Sequence, residues 1–160
     1  MNERPAPVCD KGGLDVKKAA LIVVSGLAVI AIGIQLVPVS RTNPPVVADF
    51  DGPADVRAVF RKSCYDCHSN ETRWPWYSHV APSSWLVAHD VEEARGHFNF
   101  SLWGTYSAAK KAHLAEDIWD EVKDGDMPLI VYRLGHPGVT PSDADKMTLQ
   151  RWSRAMTGGD

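Results

Sequence analysis

The chain has 160 residues, 44% of them hydrophobic and 23% charged, with a formal net charge of −3 at neutral pH. That composition excludes an intrinsically disordered chain, three cysteines are too few for a disulfide-built scaffold, and the weak acidity argues against a nucleic-acid partner. The length suits one modest domain with an appendage.

Residues 1–18 read as a short tail. From Ala19 to Ser40 no residue is charged, and most are Ala, Val, Ile or Leu. A bilayer core of about 30 Å needs roughly 20 apolar residues in a helix, so residues 19–39 are assigned as a transmembrane anchor. A cleaved signal peptide would have a shorter apolar core with a small-x-small site close behind it. The best such site, Val46 to Ala48, falls well past the run, behind Pro44 and Pro45. Lys17 and Lys18 precede the run while only Arg41 follows it, so the positive-inside tendency leaves the tail in the cytoplasm and exports the rest to the periplasm of a bacterial inner membrane. Beyond Ser40 the chain carries 13 Lys and Arg against 17 Asp and Glu. Cys9 falls on the cytoplasmic side and reads as a free thiol.

Residues 40–49 contain Pro44 and Pro45 and lack periodicity, which predicts an extended linker lifting the domain off the bilayer. The domain proper is residues 50–160. Pro53 sits at an early helical position, and Val56, Val59 and Phe60 give one apolar face leading to Cys64. Ser83 or Ser84 caps a second helix to about Arg95. A third runs from about Ser107 to Lys123, with Ala108, Ala112, Ala115, Ile118, Trp119 and Val122 at helical spacing and Gly125 as its stop. A last helix opens at Thr140, Pro141 and Ser142 and turns Met147, Trp152 and Met156 inward or nearly so. No strand alternation appears, so the expected fold is all-α, a cytochrome c-like small helical domain.

Cys64, Tyr65, Asp66, Cys67 and His68 form a CxxCH motif. Two thiols three residues apart lie on one side of a helical turn, at a spacing that matches the two haem vinyl groups, and the next residue reaches the iron. A thioredoxin-like pair would need a βαβ context, and a zinc site would need a second CxxC or a paired His motif; neither is present. One covalent haem c per chain is therefore the expected cofactor, held by Cys64, Cys67 and His68.

The run from Cys64 to Tyr77 (Cys-Tyr-Asp-Cys-His-Ser-Asn-Glu-Thr-Arg-Trp-Pro-Trp-Tyr), followed by Val80-Ala81-Pro82, Ser84-Trp85-Leu86, His89-Asp90-Val91 and His97-Phe98-Asn99-Phe100, resembles the bacterial haem-binding domain family of small CxxCH proteins. Asp126-Met127-Pro128-Leu129, Tyr132, His136-Pro137 and the closing helix to Trp152 extend the likeness over nearly all of the exported part. The resemblance implies a single-haem c-type domain, commonly behind a membrane anchor.

With His68 on one axial position, the other ligand decides between an electron carrier and an open site. Met127 is the candidate, because it follows the Gly125 helix stop in a loop stiffened by Pro128, a placement resembling the Met-Pro ligand loop of His/Met cytochromes c. His79, His89 and His136 are the histidine alternatives. A backbone carbonyl, from Pro75 or Pro82, is expected to accept from the far nitrogen of His68. Trp74, Trp76, Tyr77 and Trp85 read as an aromatic wall around the porphyrin, with Trp74 or Trp76 as a partner or membrane contact in the competing reading. The leading expectation is a membrane-anchored single-haem electron carrier serving an unidentified periplasmic or membrane redox partner. The alternatives are a haem-based sensor or peroxidase-like enzyme with a displaceable sixth ligand, and an assembly protein in which haem is structural.

Overall fold

A computed structural model describes residues 12–158, and among these every regular element is helical. Cys9 and most of the tail lie outside the described residues.

Helix α1 spans Gly12–Gly33 and continues as a 3-10 turn, Ile34–Leu36. The stretch Val16–Leu36 has 21 residues, mean hydropathy 2.5 and none of its apolar window buried. At 1.5 Å per residue it is about 31 Å long, enough to cross a hydrocarbon core. The apolar run was expected to stay helical to Val39. It stops earlier because Val37 precedes Pro38 and turns extended (φ −71°, ψ 116°), the conformation that a following proline ring favours.

Helix α2, Ala54–Ser63, opens behind Pro53 and buries Val56, Val59 and Phe60 as the spacing predicts. A break at Cys64 (φ −127°) separates it from α3, the single turn Tyr65–His68. A 3-10 turn, Trp76–His79, leads to α4, Ser83–His97, and a second, Phe100–Thr105, follows it. Helix α5, Ala108–Asp124, is capped by the Ser107 side chain and ends at Gly125, whose φ of +85° is the left-handed stop that suits glycine. Helix α6, Ile130–Gly135, is a short helix where only loop was expected. Helix α7, Asp143–Thr157, begins with a reciprocal capping box between Ser142 and Asp145.

Two core assignments shift. Leu114 joins Ala115, Ile118 and Val122 inside α5, whereas Ala108, at the first position of the helix, is exposed. Met147 is exposed because α7 turns Leu149, Trp152 and Met156 inward, and a residue two before Leu149 points about 200° away.

Helix α5 packs on α7, α7 on α2, α2 on α3 and α3 on α4, so the elements wrap one core. Aromatic rings dominate that core. Phe60 stacks on Phe100 at 4.5 Å, and Phe50, Trp103 and Trp152 meet them or each other at 5.1–6.0 Å. Offset and edge-on pairs of this kind add about 0.5–1.5 kcal/mol each beyond the area they bury.

Residues 40–49 do not lift the domain clear; they lie on it. Arg95 donates to the Thr42 carbonyl (2.9 Å) and to Asn43 Oδ1 (3.0 Å), Asn43 Nδ2 donates to the Thr72 carbonyl (2.9 Å), and Asn70 Nδ2 donates to the Pro45 carbonyl (3.0 Å). The amides of Val47 and Ala48 both donate to the Ser101 carbonyl at 3.0 Å. Gly104 donates to the Ala48 carbonyl (3.0 Å), and a Cβ on Gly104 would stand 2.8 Å from that of Ala48. An extended segment with unpaired main-chain groups is a ready partner for buried side-chain donors, which composition alone does not reveal. The variant Arg95→Ala is expected to speed amide hydrogen exchange across residues 42–48 while leaving α5 and α7 protected; unchanged protection at 42–48 would show that Arg95 is not what holds the segment.

Candidate functional site

The turn carrying the two thiols starts at Cys64, whose carbonyl accepts from the amides of Cys67 (3.2 Å) and His68 (2.9 Å) while its own amide donates to the Phe60 carbonyl (2.8 Å). Tyr65 lies between the thiols and is buried, its ring stacked on Phe100 (4.8 Å, 7°) and its hydroxyl donating to Asp49 Oδ1 (2.8 Å). With Tyr65 fixed inward, the side chains on the other side of the turn are turned away from the core.

The turn is closed on its far side by Ser69, Asn70 and their partners. Ser69 Oγ donates to the Tyr65 carbonyl (2.7 Å) and accepts from the Glu71 amide (2.9 Å), and Arg95 Nε donates to the Ser69 carbonyl (2.7 Å). The Asn70 amide donates to Ser101 Oγ (2.9 Å), and Asn99 Nδ2 donates to Asn70 Oδ1 (2.7 Å). Ser69, Asn70, Asn99 and Ser101 are all buried. No single one of these residues signals its role in the sequence; the Ser69-Asn70 pair directly after the motif is the only local hint.

His68 stacks on Phe98 (4.1 Å, 10°), which meets Phe100 edge-on at 5.1 Å, so the imidazole stands at the end of an aromatic column rising from the core. Burial lowers the His68 pKa to about 4, against a weaker opposing pull from the backbone at Phe98 and Ala94. The ring is therefore neutral at pH 7 and keeps a lone pair for a metal. Its Nδ1 is buried with no hydrogen-bond partner. The carbonyls of Pro75 and Pro82 do not serve it. That of Pro75 accepts from the Ser78 amide (3.0 Å) and hydroxyl (2.6 Å), and that of Pro82 from the Trp85 amide (3.0 Å), because each proline caps its own turn.

Cys64 and Cys67 are half-buried and unpaired with each other. Burial pushes the Cys64 thiol up to about 12, with Cys67 adding to the effect, and pushes Cys67 up to about 11, with Asp66 and Asp90 adding. Asp66 accepts from the Tyr132 hydroxyl (2.7 Å) and pairs with Arg73 at 3.3 Å. This brings α6 beside the thiol turn, and Tyr77 reaches the same place through the contact of its hydroxyl with His136 Nε2 (3.4 Å). Tyr132 and His136 face inward on α6, whereas Ile130, Val131 and Leu134 stay exposed.

The other sequence candidates fall in different places. Met127 is half-buried just past Gly125, its amide donating to the Glu121 carbonyl (3.2 Å), and Pro128 behind it is buried. His136 has contacts on both ring nitrogens, to Tyr77 and to the Tyr132 carbonyl (3.0 Å). His89 is exposed on α4, 3.5 Å from Glu93, and His79 lies near the end of the apolar helix. The four aromatic residues have different settings: Trp74 donates to Asn43 Oδ1 (3.2 Å), Trp76 is 78% exposed and edge-on to Tyr77 (5.9 Å), and Trp85 is partly exposed in the first turn of α4. No cluster of three or more potential metal-ligating His, Cys, Asp or Glu side chains occurs among the described residues.

The donor set fits haem better than a free metal ion. Two thiols and one buried, neutral imidazole on a single turn, with no cluster of three or more His, Cys, Asp or Glu among the described residues to complete a metal site, match the attachment pattern of haem. A family model described as a haem-binding domain matches residues 29–155. No curated protein and no solved structure matches the chain.

Two measurements on chain made without haem check this geometry. Both thiols are expected to alkylate at pH 8 at least about tenfold more slowly in the folded chain than in denaturant, since each unit of raised pKa cuts the reactive thiolate tenfold. His68 has a folded pKa below its ordinary value of 6.5, so its contribution to stability is complete above that value and is lost as pH falls through about 4. Comparing the pH dependence of unfolding in wild type and His68→Gln reads this directly, and identical slopes between those limits would contradict a buried neutral ring.

Proposed function

The chain belongs to the haem-binding domain family, and from that premise we propose that it is a membrane-anchored single-haem c-type cytochrome that transfers electrons at the periplasmic face. The observation that carries the reading is the Cys64–His68 turn: two thiols and a neutral imidazole on one turn, with Tyr65 holding that turn against the core. Haem, when bound there, supplies a one-electron iron couple.

The chain's own residues then divide the work. Cys64 and Cys67 would form the covalent links, and His68 would hold the iron. Phe98 stacks on the imidazole and limits its rotation.

Met127 is the residue that would join His68 in holding the iron. It sits between the left-handed stop at Gly125 and buried Pro128, in the loop that leads into α6 beside the thiol turn. The contacts on both His136 nitrogens and the exposure of His89 favour Met127 over those two histidines. A thioether ligand stabilises ferrous iron and suits a carrier, whereas an open position would suit a sensor or a peroxidase-like enzyme.

Haem should remain on the denatured chain in a stained gel and be lost from the double variant Cys64→Ala with Cys67→Ala. Met127→Ala is expected to lower the reduction potential and let carbon monoxide bind rapidly to the reduced protein. An unchanged spectrum and potential in Met127→Ala would remove Met127 from the iron, and rapid carbon monoxide binding to wild type would favour the sensor or enzyme.

A further inference from the structure

The end of the apolar helix is bolted to the helical domain at two neighbouring points. The Gln35 side chain donates to the Ala81 carbonyl (3.2 Å) and accepts from the Ala81 amide (3.0 Å), and Arg41 donates to the Ser78 carbonyl (3.1 Å). Between Ala19 and Leu36 the polar side chains are Ser25 and, next to the end of the span, Gln35, so a helix crossing a bilayer would bring Gln35 to the lipid boundary and the 78–81 segment with it.

What surrounds these ties is apolar and uncovered. Leu36 is 80% exposed and Trp76 78%, and Val37, Val80, Trp85 and Leu86 are exposed as well. All lie within five residues of a tie point. Between helix and domain is a cleft of about 330 Å³ lined by residues that include Gln35, Arg41, His79 and Ser84, with no acidic side chain in its lining. Arg41 spends one N–H on Ser78, while a guanidinium has five and matches phosphate oxygens well.

From this arrangement, which rests on the membrane-anchor reading above, we propose that the domain is seated on the bilayer surface. The cleft takes a phospholipid phosphate on Arg41 and His79, and the Trp76–Val80 turn lies at the boundary between headgroups and acyl chains. Tryptophan favours that boundary because its ring is apolar and its N–H is not, and leucine and valine beside it gain by leaving water. A soluble acidic partner would satisfy Arg41 and His79 but leave Leu36, Val37 and Trp76 in water, so a lipid surface fits the whole patch. The seating has a functional consequence. Helix α4 leaves the cleft at Ser84 and reaches Asp90, which lies near Cys67, after about 9 Å at 1.5 Å per residue. The haem-attachment turn is thereby held close to the lipid surface, within reach of a membrane-resident redox partner.

The test uses the full haem-loaded chain in vesicles of phosphatidylcholine and phosphatidylglycerol containing a trace of phospholipid with a diazirine at the top of one acyl chain. After photolysis, labelled peptides are mapped by mass spectrometry. Label in both Val16–Leu36 and residues 76–86 is the expected result. Label in the helix alone would overturn the seating and leave the anchor intact, whereas label in neither would overturn the anchor and the seating with it. The variant Arg41→Gln, its haem spectrum unchanged, should lose label at 76–86 several-fold relative to the helix; undiminished label there would remove the phosphate contact from the proposal.

Discussion

The burial of Tyr65 under Phe100 sets the direction of everything around it. Tyr65 lies between the two cysteines, so once its ring is stacked on Phe100 at 4.8 Å and its hydroxyl is held by Asp49, the turn has one orientation left. Phe100 in turn stacks on Phe60 and meets Phe98 edge-on, and Phe98 carries His68. The core aromatics and the imidazole are thus parts of one column. A change that loosens the core would move the site, because close-packed rings transmit displacement more than they absorb it.

A second layer of control is polar. Ser69, Asn70, Asn99 and Ser101 are buried, and an unpaired group there would cost about 1–3 kcal/mol, yet each is matched by a neighbour. Arg95 extends this layer outward, joining the Ser69 carbonyl to Thr42, Asn43 and Thr72. The segment that leaves the apolar helix is therefore built into the support of the thiol turn. This explains why a Pro-containing stretch without periodicity is ordered here: its carbonyls are the acceptors that Arg95 and Asn70 require.

The same construction makes the domain's position depend on the helix. With Gln35 paired to Ala81 and Arg41 to Ser78, the cofactor turn, the aromatic column and the apolar helix move as one unit. For the membrane-anchored carrier proposed above, this would favour a fixed distance to its partner over a swinging arm. Under the seating proposed above, Trp76, 78% exposed, would face the lipid boundary.

Local patterns were legible where one short stretch of chain carried the whole cause. The Ser107 cap, the Gly125 stop, the buried face of α2 and the charge-free run after Lys18 are each read from one continuous stretch of chain, so the sequence by itself determined the haem-binding family, the helical class and the apolar span. Other features needed partners far along the chain. Asn43 meets Trp74 and Arg95, Asp66 meets Tyr132, Gln35 meets Ala81, and α6 turns its polar side inward because Asp66 and Tyr77 await it. Met147 reads like a core residue until the packing of α7 chooses Leu149 and Trp152 instead. Only the tertiary structure decided these, because a hydrogen bond or a buried face is a property of two segments, and residue spacing describes one.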